Sequence, residues 1–326
     1  MGESEVRAAV GKIGETVAAV LDVGSFSARL VVLGPGGSPL EPALTHQTRL
    51  RLDRELDGEG RLTERGVAAI VAAVEAAMTM ADRHGVTRVY PLGTSSIRDA
   101  RNAPEVVRRI AKATGVELKF LSGRREAELA YVAARRWYGA AAGPLLVLDI
   151  GGGTVELAAG SGEYAGLARS LRLGARSMTR EWLPADFASG KQMKALRAHV
   201  LEEVTEALGD VLPEIAEHRV VGCSKVLQQL ARLAGDRPGR ARELHLDDLR
   251  AWIPRLAALP SSRRAELPGI SQPRARQALA GAVVAEALLT VAGGRVAICP
   301  WSTRDGLLLT MLDRSVKGTR GTTQAA

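Results

Sequence analysis

The chain has 326 residues, of which 46% are hydrophobic and 3% aromatic, and its formal net charge of +8 is carried mostly by arginine. This length suffices for one large or two ordinary globular domains, and the shortage of aromatic residues predicts a core of Ala, Leu and Val. No apolar run approaches the roughly 20 residues that span a bilayer, and the N-terminus lacks a secretory apolar stretch, so we expect a cytoplasmic protein without a membrane partner.

The positive charge favours polyanionic partners. Arginine is spread along the whole chain rather than gathered in a basic block with interleaved aromatic residues, so specific nucleic-acid binding is not expected. The two cysteines, Cys223 and Cys299, lie far apart and have no second ligand at a metal-binding spacing. We therefore expect both to be reduced and buried.

The first part of the chain predicts an α/β layer. Residues 16–33 form a hairpin of buried strands, and a third strand follows the Gly/Pro turn at 34–39. Residues 63–84 form a helix that Thr63 caps and Gly85 ends. The elements that follow are the strand VTRVYPLG, the loop TSSIRDARN, a helix beginning at Asn102 and Pro104, the strand VELKFLSG and a helix over 126–138.

A segment GAAAG, residues 139–143, is typical of a hinge and precedes a second hairpin, LLVLDIGGGTVELAAG. The predicted elements beyond this hairpin are helices at 191–209, 246–258, 274–291 and 303–313, a strand–turn–helix in HRVVGCSKVLQQLARL, a strand in GRVAICP and a disordered tail from Ser315.

The two hairpins match each other. VLDVGSFSARLVV and VLDIGGGTVELAA each have an apolar strand, a terminal aspartate, a glycine two residues later and a second strand, so that Asp22 matches Asp149 and Gly24 matches Gly151. A glycine-rich turn exposes backbone N–H groups to a phosphate, and a strand-end aspartate can hold a hydrated divalent cation. A single Asp-Gly turn is more often only a hairpin, but two copies indicate a phosphate chain bound between two similar domains.

The two hairpins, the segments GTSSIRDARN and LSGRREAELAY, and the stretch SLRLGARSMTREW together resemble the exopolyphosphatase/guanosine pentaphosphate phosphohydrolase (Ppx/GppA) family of the actin-like superfamily. The resemblance covers about residues 16–314. It implies an α/β fold of two ribonuclease H-like (actin-like) domains with an interdomain active-site cleft, Mg²⁺ or Mn²⁺ as cofactor, and hydrolysis of a terminal phosphoanhydride.

The expected domains are a flexible extension over 1–15, a first domain over 16–139, a second over 144–314 and a disordered tail over 315–326. The last helix of the second domain is expected to pack back on the first.

The resemblance also assigns roles to residues. Glu126 falls on the family's catalytic general base, Asp149 and Glu156 on its metal and water-positioning carboxylates, Asp22 on a metal-binding position, and Arg98 on a phosphate-binding, catalytic arginine. The expected phosphate-binding residues are Gly24, Ser25, Gly151, Gly152, Gly153, Thr154, Gly222, Ser224 and Lys225. From the residues alone, Glu126 is more simply explained as an acid in a first helical turn, and Arg98 as a solvated arginine beside Asp99.

The chain departs from the family pattern at two places. Phe26 replaces an asparagine in the first turn, where a phenyl ring cannot donate a hydrogen bond. Arg124 and Arg125 replace acidic or polar residues just before Glu126 and could lower its pKa, add contacts to a polyanion or mark a binding protein.

Three functions therefore remain in competition: an exopolyphosphatase acting on linear inorganic polyphosphate, which we favour, a guanosine pentaphosphate 5′-phosphohydrolase, and a non-catalytic binder of polyphosphate or of guanosine penta- or tetraphosphate. The oligomeric state stays open, with a homodimer as one candidate.

Overall fold

The computed structural model describes residues 4–8, 18–235 and 243–322. The strands are β1 (Ser4–Ala8), β2 (Ala18–Val23), β3 (Ser27–Leu33), β4 (Leu44–Arg49), β5 (Tyr90–Gly93), β6 (Lys119–Phe120), β7 (Leu145–Ile150), β8 (Val155–Gly160), β9 (Leu167–Leu171), β10 (Arg219–Gly222), β11 (Glu243–His245) and β12 (Arg295–Ile298). The helices are α1 (Glu64–Arg83), α2 (Ser95–Arg98), α3 (Ala103–Thr114), α4 (Gly123–Tyr138), α5 (Ala175–Trp182), α6 (Gly190–Leu208), α7 (Leu212–Ile215), α8 (Lys225–Leu233), α9 (Leu246–Ala258), α10 (Ser261–Arg264), α11 (Ala278–Val291) and α12 (Thr303–Thr322).

The chain forms two compact units. The first contains the described residues up to Ser122 together with Arg304 and the rest of α12, and the second spans Gly123–Thr303. Each unit is built on one mixed sheet, in the order β1-β4-β3-β2-β5-β6 in the first and β11-β12-β10-β7-β8-β9 in the second. The structure is therefore an α/β fold with two mixed sheets.

The two sheets repeat one pattern. In the first unit, β2, β3 and β4 are antiparallel neighbours, and β2, β5 and β6 are parallel neighbours. In the second, β7, β8 and β9 are antiparallel, while β7, β10 and β12 are parallel. The internal duplication inferred from the hairpins is thus visible in the strand order, and each hairpin lies in the middle of its own sheet.

Local sequence explains the longest helix of the first unit. The side chain of Thr63 accepts a hydrogen bond from the Gly66 backbone, and Gly85, two residues past the helix end, has φ of +73°, which glycine adopts without strain. Buried residues recur every three or four positions along α1, and the helix packs on β2, β3 and β4. The cap and end predicted for this helix are confirmed.

The structure differs from the predicted domain limits. Helix α4 packs on β7, β8 and β9, so it belongs to the second unit and the boundary follows Ser122 rather than the GAAAG segment. Helix α12 continues without an interrupting proline, so the tail predicted to be disordered from Ser315 is helical as far as Thr322. Part of the predicted N-terminal extension forms β1, which pairs with β4, while residues 1–3, 9–17, 236–242 and 323–326 lie outside the described residues.

Smaller differences concern short elements. The loop TSSIRDARN contains α2, the strand expected in VELKFLSG is only two residues long, and the helix expected over 274–291 begins as a 3₁₀ turn before α11. Cys223 and Cys299 are buried free thiols, as expected. Within the described ranges, no helix is long and apolar enough to cross a bilayer.

Candidate active site

The glycine-rich turn between β7 and β8 is held from one side by the start of α5. The backbone N–H of Ala175 donates to the Gly151 carbonyl at 3.0 Å, that of Arg176 to the Gly152 carbonyl at 2.9 Å, and that of Gly174 to the Gly153 carbonyl at 3.1 Å. In a trans peptide the N–H points away from the preceding carbonyl. The amides of Gly152, Gly153 and Thr154 are therefore directed to the side opposite α5, an arrangement that suits an anion.

Gly174 allows this close approach. A Cβ on Gly174 would lie 2.3 Å from the Gly153 carbonyl carbon and 2.4 Å from the Thr154 nitrogen, both of them backbone atoms. No side chain fits there, because real Cβ atoms do not approach backbone so closely. The turn and α5 consequently form one tightly packed piece.

Two carboxylates lie opposite each other at the base of this turn. Asp149 at the end of β7 pairs in register with Glu156 of β8, and Glu156 is only 4% exposed. Burial raises the pKa of Asp149 to about 6, although the Arg274 guanidinium lowers it in part. Burial, Asp149 and Glu126, in that order, raise the pKa of Glu156 to about 8, against hydrogen bonds from Thr154 and Ser170 that lower it.

Helix α4 brings Glu126 to the same place. Glu126 is in the first turn of α4 and is close enough to Glu156 to raise its pKa. The helix start packs tightly on β9, since a Cβ on Gly123 would lie 2.3 Å from Oγ of Ser170. Ser170 in turn donates a 2.9 Å hydrogen bond to Glu156. The structure therefore pairs Asp149 with Glu156 and brings Glu126 within electrostatic reach of Glu156.

The turn between β2 and β3 in the first unit is built on the same plan. The N–H groups of Leu52 and Leu50 donate to the carbonyls of Ser25 and Phe26 at 2.9 Å and 2.8 Å. The amides of Phe26 and Ser27 must then point away from residues 50–52. The backbone amide of Phe26 thus has an orientation that suits a phosphate, although its phenyl ring cannot donate a hydrogen bond.

Asp22, at the end of β2, has a mixed environment. Its Oδ1 is buried without a hydrogen-bond partner, while its Oδ2 lies 3.7 Å from Nη1 of Arg304 in α12. Burial raises the pKa of Asp22, Arg304 lowers it, Asp305 raises it and Arg29 lowers it. Arg29 faces Asp22 across the hairpin, in the position that Glu156 occupies opposite Asp149.

The remaining predicted residues have visible structural contacts. Arg98 donates to Asp99 at 3.0 Å and to the Leu121 carbonyl at 3.1 Å. Ser224 caps α8 by accepting from the Leu227 amide, and a Cβ on Gly222 would lie 2.6 Å from the Leu227 side chain. Lys225 is exposed and donates to Gln228. Their roles toward phosphate stay predictions.

Arg124 and Arg125, the departures before Glu126, both bind one residue. Nε of Arg124 donates to Oε1 of Glu128 at 3.2 Å, and Nη1 of Arg125 donates to Oε2 at 2.9 Å. Glu128 is therefore an acid that both arginines pair with, and they lower its pKa.

Sequence reasoning missed four residues at or beside the site: Ser170, Arg176, Arg274 and Arg304. Each acts on a partner far away in the chain, as Arg274 does on Asp149 and Arg304 on Asp22. The stretch SLRLGARSMTREW, which contains Ser170 and Arg176, indicated the family but gave no role to either residue. Its Gly-Ala-Arg sequence was the available signal.

The donor set suits a hard divalent cation. Asp149 and Glu156 are two facing carboxylates whose mutual repulsion a cation would relieve, and Mg²⁺ commonly binds through one or two carboxylates with water and substrate phosphate. Among the side chains that the structure describes, no three Asp, Glu, His or Cys residues are grouped to hold a metal. A cation here would therefore take its other ligands from water or phosphate.

Comparisons with known proteins identify relatives of the chain in sequence and in structure. Exopolyphosphatase 1 of Mycobacterium tuberculosis is 40% identical over 308 residues, covering 92% of this chain and 89% of that protein. A guanosine-5′-triphosphate,3′-diphosphate pyrophosphatase of Aeromonas salmonicida is 25% identical and covers 90% of this chain but 59% of its own length. The crystal structure of an exopolyphosphatase from Cytophaga hutchinsonii has a TM-score of 0.75 at 22% identity over 91% of this chain and 97% of that one, which shows a shared fold.

The model of the Ppx/GppA phosphatase family matches residues 34–315, which is most of the chain. Its members are metal-dependent phosphatases. The chain belongs to the Ppx/GppA phosphatase family.

Proposed function

We infer that the chain is an exopolyphosphatase that removes the terminal phosphate of linear inorganic polyphosphate. The observation that carries this function is the facing pair of Asp149 and Glu156, with Glu126 near enough to raise the pKa of Glu156, beside a turn whose amides face away from α5. The 40% identity to an exopolyphosphatase over nearly the whole chain supports the same activity.

In the proposed reaction, the amides of Gly152, Gly153 and Thr154 hold oxygens of the terminal phosphate. Glu126 accepts a proton from a water molecule as the water oxygen attacks the terminal phosphorus. The bond between that phosphorus and the bridging oxygen breaks, which yields orthophosphate and a polyphosphate shorter by one unit. General-base assistance of this kind is worth about 10²–10⁴ in rate.

Asp149 and Glu156 would hold Mg²⁺ or Mn²⁺, which neutralises charge on the phosphate oxygens. Without a cation, the raised pKa of Glu156, about 8, keeps one proton on this pair near neutral pH. Ser170 orients Glu156 through its hydrogen bond, so that the carboxylate keeps one position. Asp22 is a further proposed ligand, although Arg304 already supplies positive charge beside it.

Hydrolysis of guanosine pentaphosphate at its 5′ end is the second candidate. It would use the same three carboxylates, and the Aeromonas salmonicida relative is named for such a substrate. A purely binding protein would not need to keep a base and two cation-binding carboxylates together, so the site favours an enzyme.

The test measures phosphate release from defined polyphosphates and from guanosine pentaphosphate, with Mg²⁺, with Mn²⁺ and with chelator. We expect Glu126→Gln to fold and bind polyphosphate but to lose about 10²–10⁴ in turnover, and chelator to abolish turnover of the unmodified chain. The matched control is Glu105→Gln, because Glu105 is likewise an acid in the first turn of a helix, α3, and should leave turnover unchanged.

Normal turnover by Glu126→Gln would show that Glu126 is only a helix-start acid. Chelator-resistant turnover would exclude the cation, and release from guanosine pentaphosphate alone would favour the second candidate.

A further inference from the structure

The backbone and the side chain of Arg176 both contact one residue of the glycine-rich turn, Gly152. Its backbone N–H donates to the Gly152 carbonyl at 2.9 Å. Its side chain returns to the same residue, since a Cβ on Gly152 would lie 3.0 Å from Nη1, 3.4 Å from Cζ and 3.7 Å from Nη2 of Arg176. The guanidinium therefore occupies the space that a side chain at position 152 would fill.

This attachment places a permanent positive charge beside the amides of the turn. The Gly153 nitrogen is only two covalent bonds from the Gly152 Cα, and its N–H faces away from α5. The half-buried Arg176 guanidinium therefore contacts the residue that directly precedes this amide. Guanidinium and phosphate form paired, charge-assisted hydrogen bonds, which are stronger than neutral ones.

Charge balance gives a reason for such a residue. Glu126, Asp149 and Glu156 bring three carboxylates to the site, and a phosphate chain adds further negative charge. A divalent cation offsets two charges at most, and the Arg274 guanidinium acts on Asp149. A positively charged side chain at the turn, such as Arg176, would offset the repulsion between the phosphate and these carboxylates.

We propose that Arg176 is a substrate-binding residue that contacts the phosphate held by the amides of Gly152, Gly153 and Thr154. The proposal rests on the proposed function, because it assumes that a phosphate chain binds at this turn. Helix α5 thus has two tasks: its backbone fixes the carbonyls of the turn, and its second residue binds the anion.

The experiment measures binding of a short, defined-length linear polyphosphate to the Glu126→Gln chain over a series of salt concentrations. Adding Arg176→Gln should weaken binding about tenfold or more at low salt, because a charge-assisted hydrogen bond is lost. It should also reduce the slope of log affinity against log salt by about 1, since one phosphate is no longer neutralised by the protein.

The matched control is Arg180→Gln. Arg180 is on the same helix, and its side chain is 68% exposed and lies 3.7 Å from Glu181, so its removal changes the net charge equally without touching the turn. It should leave the slope unchanged. Arg176→Lys keeps the charge but not the paired donors, so it should restore the slope and only part of the affinity.

The outcomes separate two kinds of failure. If the Glu126→Gln chain itself does not bind polyphosphate, the proposed function fails. If it binds, and Arg176→Gln leaves affinity and slope equal to those of Arg180→Gln, then Arg176 only packs on Gly152 and the inference is wrong. Should Arg176→Gln melt at a lower temperature, the comparison of Arg176→Lys with Arg176→Gln decides: a slope that is larger by about 1 in Arg176→Lys supports the inference, and equal slopes contradict it, because a packing role would not change the salt slope.

Discussion

Asp149 and Glu156 face each other where the first hairpin has Asp22 and Arg29. The two hairpins have the same register, so one glutamate in place of an arginine converts an attractive cross-strand pair into a repulsive one. Such repulsion costs stability when no cation is present. The proposed cation at Asp149 and Glu156 would remove this cost, because it would turn the repulsion into affinity.

The same pair predicts how stability depends on pH. Asp149 and Glu156 have pKa values of about 6 and about 8 in the folded chain, above the ordinary values of 3.8 and 4.5 for these side chains. The folded chain thus holds these protons more tightly than the unfolded chain. Their contribution to stability is complete below about pH 4 and is lost as the pH rises through 6 and 8.

In the presence of chelator, the melting temperature should therefore fall between pH 5 and pH 8.5, and it should fall less in Glu156→Gln, which cannot become charged. Each kcal/mol corresponds to about 2–4 °C in a unit of this size. The control is Glu163→Gln, whose exposed carboxylate pairs with Arg136. Equal falls in both variants would show that Glu156 titrates normally.

Helix α5 is the element whose role the sequence did not reveal. Hydrophobic period and turn residues predicted both hairpins, α1 and most later helices, because these signals are local. They carry no information about which distant segment supports a turn. Glu126 and Asp149 could be assigned by resemblance, whereas the contacts of Gly174 and Arg176 join residues 20 or more positions apart. The short strand β11 was also beyond the local pattern, since three residues show no period.

The packing of α5 on the turn can be tested at Gly174. Gly174→Ala would place a methyl group within 2.4 Å of two backbone atoms of the turn, so the turn must move. We expect a loss of about 1–3 kcal/mol in stability and, because misplacement of about 1 Å can cost 10²-fold in rate, a large fall in turnover. Gly190→Ala is the control, since nothing lies within 4 Å of its Cβ position. A Gly174→Ala chain with normal turnover would mean that the turn does not depend on α5.

At the scale of the whole molecule, the second unit is an insertion in the first. The chain leaves the first unit after Ser122 and returns to it at Arg304, where α12 begins to contribute. Arg304 then pairs with Asp22 of β2, so a residue near the C-terminus sets the charge beside a strand near the N-terminus. The hydrophobic cores divide in the same way, since one cluster draws only on residues 19–118 and the other two only on residues after 122.

This arrangement predicts which fragments fold. Residues 123–303 are continuous and contain their own sheet and core, so they should unfold cooperatively when expressed alone. Their two ends lie close together, because Thr303 donates to the Glu126 carbonyl at 3.4 Å.

The first unit should therefore tolerate replacement of 123–303 by a short Gly/Ser linker. Residues 1–122 without α12 should be less stable, because Asp22 loses Arg304. Circular dichroism melting curves of the three fragments check this: a non-cooperative 123–303, or a 1–122 fragment as stable as the linked one, would contradict the division.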